Sequence, residues 1–436
     1  MIETYADALA FIHGRHKWKK TASFERIELL LARLGNPHLQ SKYVHITGTN
    51  GKGSTSKMLA QILRATGLSV GLFTSPFIMR FNERIQDDAG EISDERLLQL
   101  MQEIAPVVEQ LDITLDGGGP TEFETLTALM FLYFARFPVD IVVLEVGIGG
   151  SWDTTNIVPA QQKLATAVTS VSYDHMAVLG DTLAKIAEQK AGILRAGVPV
   201  VFGKLPAEAT SVMALNVERL GLQASWLGQD FSVHGSSSLD SQTYFDFDSV
   251  HTFEQVPLNL RGQYQLGNAG VALRLAEIVL DKLGRSLIRQ DVVEALATVT
   301  WPARFEMISS TPEVIIDGAH NVAGVTLLGQ TIRQYFPQQQ VNVIFGALTD
   351  KNYIEMLEIL ASIPNVKLTV AGFQAPTARQ AIDPSAVVAS ISRTNVSAAP
   401  NWQVAFAKLS SEQPIIITGS LYFVAEVRAR LLTQMN

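Results

Sequence analysis

"ITGTNGKGSTSK", residues Ile46 to Lys57, decides how the rest of the chain is read. It has the glycines, lysine and hydroxyls of a phosphate-binding loop. Yet Ile46 stands where the common pattern opens with glycine, and Gly53 follows Lys52 where that pattern has Ser or Thr. A phosphate cradle needs backbone N–H groups that converge on anionic oxygens, a following helix whose N-terminus attracts them, and a lysine for the terminal phosphates. All are present: Gly48, Thr49, Asn50, Gly51, Lys52, Gly53 and Ser54 lie between the apolar run "KYVHIT" and the helical pattern "TSKMLAQILRATG". The stretch reads as a nucleotide-phosphate loop. The hydroxyl that commonly follows the lysine and holds Mg²⁺ is missing, so metal ligands are expected elsewhere.

Three residues are candidates for that role. Ser75 ends "GLFTS", Glu145 stands inside the apolar run "DIVVLEVGIGG", and His175 lies in "SVSYDH". A carboxylate inside such a strand is costly to bury unless paired or metal-bound. Oxygen ligands with few protein contacts suit Mg²⁺ bridging a nucleotide's phosphates. His175 reads equally well as an ordinary core or surface histidine. In "IAEQKAGIL", Lys190 falls on a helix expected from near Asp181 toward Gly192, and on sequence alone it reads as an exposed helix lysine. Further on, "DGAHN" places Asp317, His320 and Asn321 at a strand end, where an aspartate can hold a ribose and a histidine a phosphate or attacking group. Arg304, in "TVTWPARFE", is placed to reach a nucleotide across an interdomain cleft.

Outward from the loop, the chain alternates strand and helix. Two amphipathic helices are expected before Gly35, then buried strands at "KYVHIT", "LSVGLFT" and "DIVVLEVGIGG" separated by helices, a pattern of parallel sheets flanked by helices. From about Ala224 to Gly262, Ser, Asp and aromatic residues suggest short antiparallel strands, a small β-rich portion. After a linker at Thr298 to Glu306 a second series begins: "EVIID", "VNVIFGAL", "VKLTVAGF" and "PIIITGS" each end in small or polar residues, where open α/β sheets place their ligands. The expected fold is α/β with two domains, a P-loop ATPase domain over 1–297 and a Rossmann-like, doubly wound domain over 298–436.

The bulk composition of the 436 residues excludes several classes. With 47% hydrophobic and 17% charged residues the chain can bury sizeable cores. Its net charge of −8 weighs against a general nucleic-acid binder. The absence of cysteine rules out disulfides and thiolate chemistry. No run approaches the ~18 apolar residues of a membrane span, and the acidic N-terminus is no signal peptide, so a cytoplasmic protein is expected. The basic stretch "RHKWKK", Arg15 to Lys20, reads as a solvated turn or as a steering patch for an anionic ligand.

Taken together, "ITGTNGKGS", "TSPFIMRFNERI", "LEVGIGG", "EQKAGIL", "YQLGNA", "WPARFE", "DGAHN", "GALTDKN" and "TGSLYFV" resemble, in order, segments of the folylpolyglutamate synthases, relatives of the cell-wall Mur ligases. The resemblance runs from about residue 3 to residue 430. It implies an ATP-dependent amide ligase: ATP phosphorylates the terminal carboxylate of a folate, and the amine of L-glutamate attacks the acyl phosphate. It implies that Gly48 to Ser54 hold the triphosphate, that Ser75, Glu145 and His175 bind Mg²⁺, and that Lys190 is carbamylated, which reverses its reading as an exposed lysine. Asn268, Arg304, Asp317 and His320 match ATP or reaction-centre positions. "SPFIMRFNERI", with Arg84, resembles the family's mobile loop beside the folate site. Phe123 would stack on the pterin or else be a core aromatic, and Asp153 falls near the pocket that distinguishes folate substrates. A monomer acting on small molecules, without nucleic acid or membrane, is the expectation. A form that also makes dihydrofolate from dihydropteroate, and a Mur-type ligase of another substrate, stay open. Ser151 and Trp152, Val322, Asn352 and a short insertion at "AQQKLA" depart from the family pattern. The rival class is an ATP-hydrolysing switch, which would not need a second α/β domain.

Overall fold

The computed structural model describes residues 2–17, 23–236, 242–375, 379–391, 393–410 and 412–435. Trp18, Lys19 and Lys20 of the basic stretch lie outside them. The chain divides into two compact units, Met1–Val233 with Asp246–Val256 and Gly267–Ala297, and His234–Phe245 with Pro257–Leu266 and Thr298–Asn436.

The first unit is built on an eight-stranded sheet. Its strands are β1 (Tyr43–Thr47), β2 (Val70–Phe73), β3 (Ile85–Asp87), β4 (Gly90–Glu91), β5 (Ile141–Glu145), β6 (Lys163–Val168), β7 (Val200–Phe202) and β8 (Ala224–Trp226), in the order β4-β3-β2-β5-β1-β6-β7-β8. From β2 to β8 every pairing is parallel, and β3 and β4 add an antiparallel edge. Every residue of β1, β2 and β5 is buried, which is why these segments read as unbroken apolar runs rather than as alternations. β1 lies between β5 and β6, so successive connections leave it in opposite directions. The crevice at its carboxyl end is the kind of switch point where doubly wound sheets bind ligands.

The helix Lys52–Ala65 follows β1 at once, with Gly51 at its N-cap in the left-handed region at φ 85°. β8 corrects one expectation: it pairs parallel to β7 and extends the main sheet. The β-rich portion begins later, as the three-stranded sheet β11-β10-β9, with β9 Ser232–Ser236, β10 Thr243–Asp248 and β11 Thr252–Leu258.

The second unit carries a six-stranded sheet of β12 (Glu306–Ser310), β13 (Glu313–Ile316), β14 (Val341–Phe345), β15 (Val366–Ala371), β16 (Val396–Ala399) and β17 (Ile415–Thr418), in the order β12-β13-β17-β14-β15-β16. All pairings are parallel except β12 with β13. The expected series is present. β12 and β16 join it at the two edges, where half-exposed strands lack the apolar run that marks the inner ones.

Candidate functional site

The phosphate loop is held in shape from β6's far end. Thr49 donates its main-chain N–H to Ser170 O at 2.9 Å, Asn50 N–H reaches Ser170 Oγ at 2.9 Å, and the Thr169 and Ser170 hydroxyls donate to Asn50 O. A side chain on Gly48 would meet Thr169 Oγ1, and one on Gly51 would lie 2.4 Å from Asn268 Oδ1. The glycines are thus required by neighbours as well as by backbone angle. Lys52 folds back, its ammonium donating to Gly48 O at 3.0 Å and Thr49 O at 3.2 Å. Those carbonyls hold the lysine at the loop.

Ser75 and Glu145 close the ends of neighbouring parallel strands, β2 and β5. The Ser75 N–H donates to Glu145 Oε2 at 3.1 Å, and Glu145 is 4% exposed. His175 follows β6 in the left-handed region at φ 49°, with its N–H donating to Asp174 Oδ1. Ser75 and Glu145 offer oxygens to a hard cation and His175 a ring nitrogen. Among the described residues no three His, Cys, Asp or Glu side chains gather into a cage. Oxygen donors with few protein contacts suit Mg²⁺.

Lys190 corrects its reading as an exposed lysine. It sits near the end of the helix Leu183–Ala191 and is 2% exposed. Burial, and secondarily the Lys52 ammonium, bring its amine down to about 7, while Asp174 works the other way. Loss of hydration disfavours the charged amine, so burial favours the neutral form of Lys190.

The loop after β5 is packed against these elements. Gly147 has no room for a Cβ, which would fall 2.5 Å from the Phe123 ring. That ring also lies 6.3 Å from Phe73. Asp153 spends its carboxylate on the loop itself, accepting from Ile148 N, Thr155 N and Thr155 Oγ1. Ser151 N and Oγ both donate to Gln189 O. Arg84 lays its guanidinium over the Phe77 and Phe81 rings at 5.1 and 5.4 Å. The segment before it is tied by Glu83, whose carboxylate accepts from the N–H groups of Ile78, Met79 and Arg80. Arg15 is spent on Asp112 and Pro120 O, so it is no steering charge.

In the second unit Asp317 is buried. It accepts from Phe305 N and Ala319 N at 2.9 Å and from the Tyr264 hydroxyl at 3.4 Å. Burial raises its pKa, with Arg304 and these donors opposing. Arg304 lies between Ala303 at φ 56° and Phe305 at φ 47°, two non-glycine residues in the left-handed region. Such strain persists only where surroundings over-determine it. Here Glu306 accepts from Ala303 N and is gripped by Arg428, Gly318 N donates to Ala303 O, and Asp317 holds Phe305. His320 Nδ1 is 2.8 Å from Gly318 O, and Asn321 caps the helix Val322–Tyr335.

Sequence reasoning missed Glu83, Asp174, Tyr264 and the Thr169–Ser170 brace. Glu83, Asp174 and Tyr264 each stand in a quoted segment, "TSPFIMRFNERI", "SVSYDH" and "YQLGNA", but nothing in those segments singled them out.

Residues 46–276 match the family model of the Mur ligase middle domain, and 303–421 that of the Mur ligase glutamate ligase domain. The chain is 39% identical to the folylpolyglutamate synthase of Lacticaseibacillus casei, over 98% of this chain and 99% of that one. It is 38% identical to the dihydrofolate synthase/folylpolyglutamate synthase of Bacillus subtilis, over 99% and 100%. A solved FPGS–AMPPCP–folate complex superposes with a TM-score of 0.86 at 37% identity, covering 99% of this chain and 100% of that one.

Proposed function

The chain belongs to the folylpolyglutamate synthase family of Mur ligases and is an ATP-dependent ligase, and on that premise we propose that it joins L-glutamate to the terminal carboxylate of a reduced folate. In the proposed reaction a carboxylate oxygen takes the γ-phosphoryl group of ATP and releases ADP. The glutamate α-amine then attacks the acyl carbon, and the tetrahedral intermediate loses a proton and expels phosphate. Residues 1–297 would form the ATPase domain and 298–436 the second ligase domain. We read the protein as a monomer of the cytoplasm that acts on small molecules without nucleic acid.

The observation that carries this reading is the phosphate loop braced at Thr49 and Asn50 together with the buried Lys190, 2% exposed, on a helix of the same unit. Phosphoryl transfer is mainly positioning and neutralisation of charge. Gly48 to Ser54 would present N–H groups to the phosphates, with Lys52 released from its own carbonyls to meet them. Ser75, Glu145 and His175 would hold Mg²⁺, which would supply neutralisation of phosphate charge. The neutral Lys190 nitrogen would add to the carbon of CO₂ and lose a proton, giving a carbamate whose negative charge attracts Lys52. Asn268, Arg304, Asp317 and His320 would contact ATP or the reacting groups. Arg84, Phe123 and Asp153 would shape the folate side, Asp153 by holding its loop.

The test is phosphate release from MgATP with and without L-glutamate and tetrahydrofolate, with mass detection of product. Turnover stimulated by both, and a product one glutamate heavier, is expected. Turnover indifferent to both, with no such product, overturns the reading. The two-activity name of the Bacillus subtilis relative, almost as similar as the single-activity one, keeps a second reading in play. Replacing tetrahydrofolate by dihydropteroate decides it.

A further inference from the structure

The helix that carries Lys190 ends against the loop after β5. Its last carbonyls have no partner within the helix and must find donors elsewhere. Ser151 supplies two to Gln189 O, its N–H at 2.7 Å and its hydroxyl at 3.1 Å. Asn156, on the same loop, donates to Gly192 O at 2.8 Å. The approach is close on both sides. A Cβ on Gly192 would lie 2.4 Å from Ser151 Cα, and one on Gly150 would lie 2.7 Å from Gln189 O and 3.1 Å from Lys190 O. The loop is fixed in turn to the end of β1, because the Thr47 hydroxyl donates to Gly149 O at 2.6 Å. One residue beyond Ser151, Trp152 is half exposed and packs on Phe24.

We propose that Ser151 is a positioning residue for the ligase reaction: by capping Gln189 it fixes the end of the Lys190 helix to the loop that ends at Asp153, so that the acid-substrate side and Lys190 move together. This rests on the reading of Lys190 as part of the reaction centre. Ser151 touches no reacting atom. It acts through the backbone beside Lys190, and the two glycines Gly150 and Gly192 are the space that lets the two backbones meet.

The test uses Ser151→Ala in the full chain, with Gly192→Ala as a more severe variant. Steady-state kinetics and hydrogen exchange across residues 183–195 are measured together. Loss of the hydroxyl is expected to lower kcat about fivefold, to leave the KM for ATP within about twofold, and to speed exchange at the end of the Lys190 helix but not in the helix Lys52–Ala65. Unchanged kcat, even with faster exchange or a lower melting temperature, makes Ser151 merely structural and overturns the proposal. A rise in the KM for ATP as large as the fall in kcat does the same. Lys190→Ala separates the two claims: if it stays active, the reading of Lys190 fails, while the Ser151 exchange pattern still reports whether the contact holds the helix.

Discussion

Asn268 Oδ1 occupies the space a side chain on Gly51 would need, 2.4 Å from the nearest possible Cβ. Gly51 is also at φ 85°, where an L-residue costs about 1–2 kcal/mol. Gly51→Ala is therefore expected to lower the melting temperature modestly and to weaken ATP binding about tenfold, roughly 1.4 kcal/mol. In the double variant with Asn268→Ala the crowding disappears. Thermal stability should recover further than nucleotide affinity, as calorimetry and titration with ATP would show. Full affinity in the double variant would remove Asn268 from the nucleotide site.

Glu145→Gln separates the charge of that side chain from its shape. The amide oxygen can still accept from Ser75 N–H, so the strand ends should stay joined and the melting temperature nearly unchanged. What goes is the anion. Activity at saturating ATP is expected to fall by about two orders of magnitude or more, on the scale of several kcal/mol of metal-borne charge stabilisation, with the Mg²⁺ requirement shifted upward. An active variant with an unaltered Mg²⁺ titration would take Glu145 out of the metal set.

Lys190 gives a pH signature with a definite sign. Its amine sits at about 7 in the folded protein against an ordinary 10.5. Between those values the unfolded chain binds the proton that the folded one does not, so unfolding free energy rises with pH. Below pH 7 both states are protonated and this contribution is flat. In CO₂-free buffer the stability of the parent should therefore climb from pH 7 to 10 more steeply than that of Lys190→Met. Lys57, lowered to about 8 by burial, contributes to both proteins and cancels. Parallel curves would mean that the amine is not held neutral.

Glu306→Ala removes the acceptor of Ala303 N–H and the partner of Arg428 together. The strained turn around Arg304 then loses a restraint, and a destabilisation of about 2–3 kcal/mol is expected, since charge-assisted hydrogen bonds are the stronger ones. The KM for ATP should rise if Arg304 meets the nucleotide. Denaturant melts and ATP kinetics measure the two effects separately.

The sheet cores were legible because buried parallel strands are apolar over nearly their whole length, as Ile141–Glu145 and Ile415–Thr418 are up to their last residue. β8 was misread because it is three residues long at the edge of the sheet, where two of its three positions are only half-buried and burial no longer dictates composition. The phosphate loop was legible from its glycines, although the reason for Gly51 is a neighbour more than two hundred residues away. Lys190 illustrates the limit. Its helix presents the usual mixture of charge and alanine, and nothing local reveals that the Lys190 position is turned into the interior. Burial is a property of what packs around a residue, which a single sequence leaves unwritten.

The carboxylate of Glu83 holds the N–H groups of Ile78, Met79 and Arg80 at once. A segment tied in this way cannot bend internally without stranding three donors, so any swing of the "SPFIMRFNERI" loop has to be that of a stiff lever. Its hinges must fall outside the tied span of Ile78 to Glu83, and the Arg84 end is the anchored one, since Arg84 O accepts from Thr74 N–H at 3.0 Å and Phe81 is buried in the core.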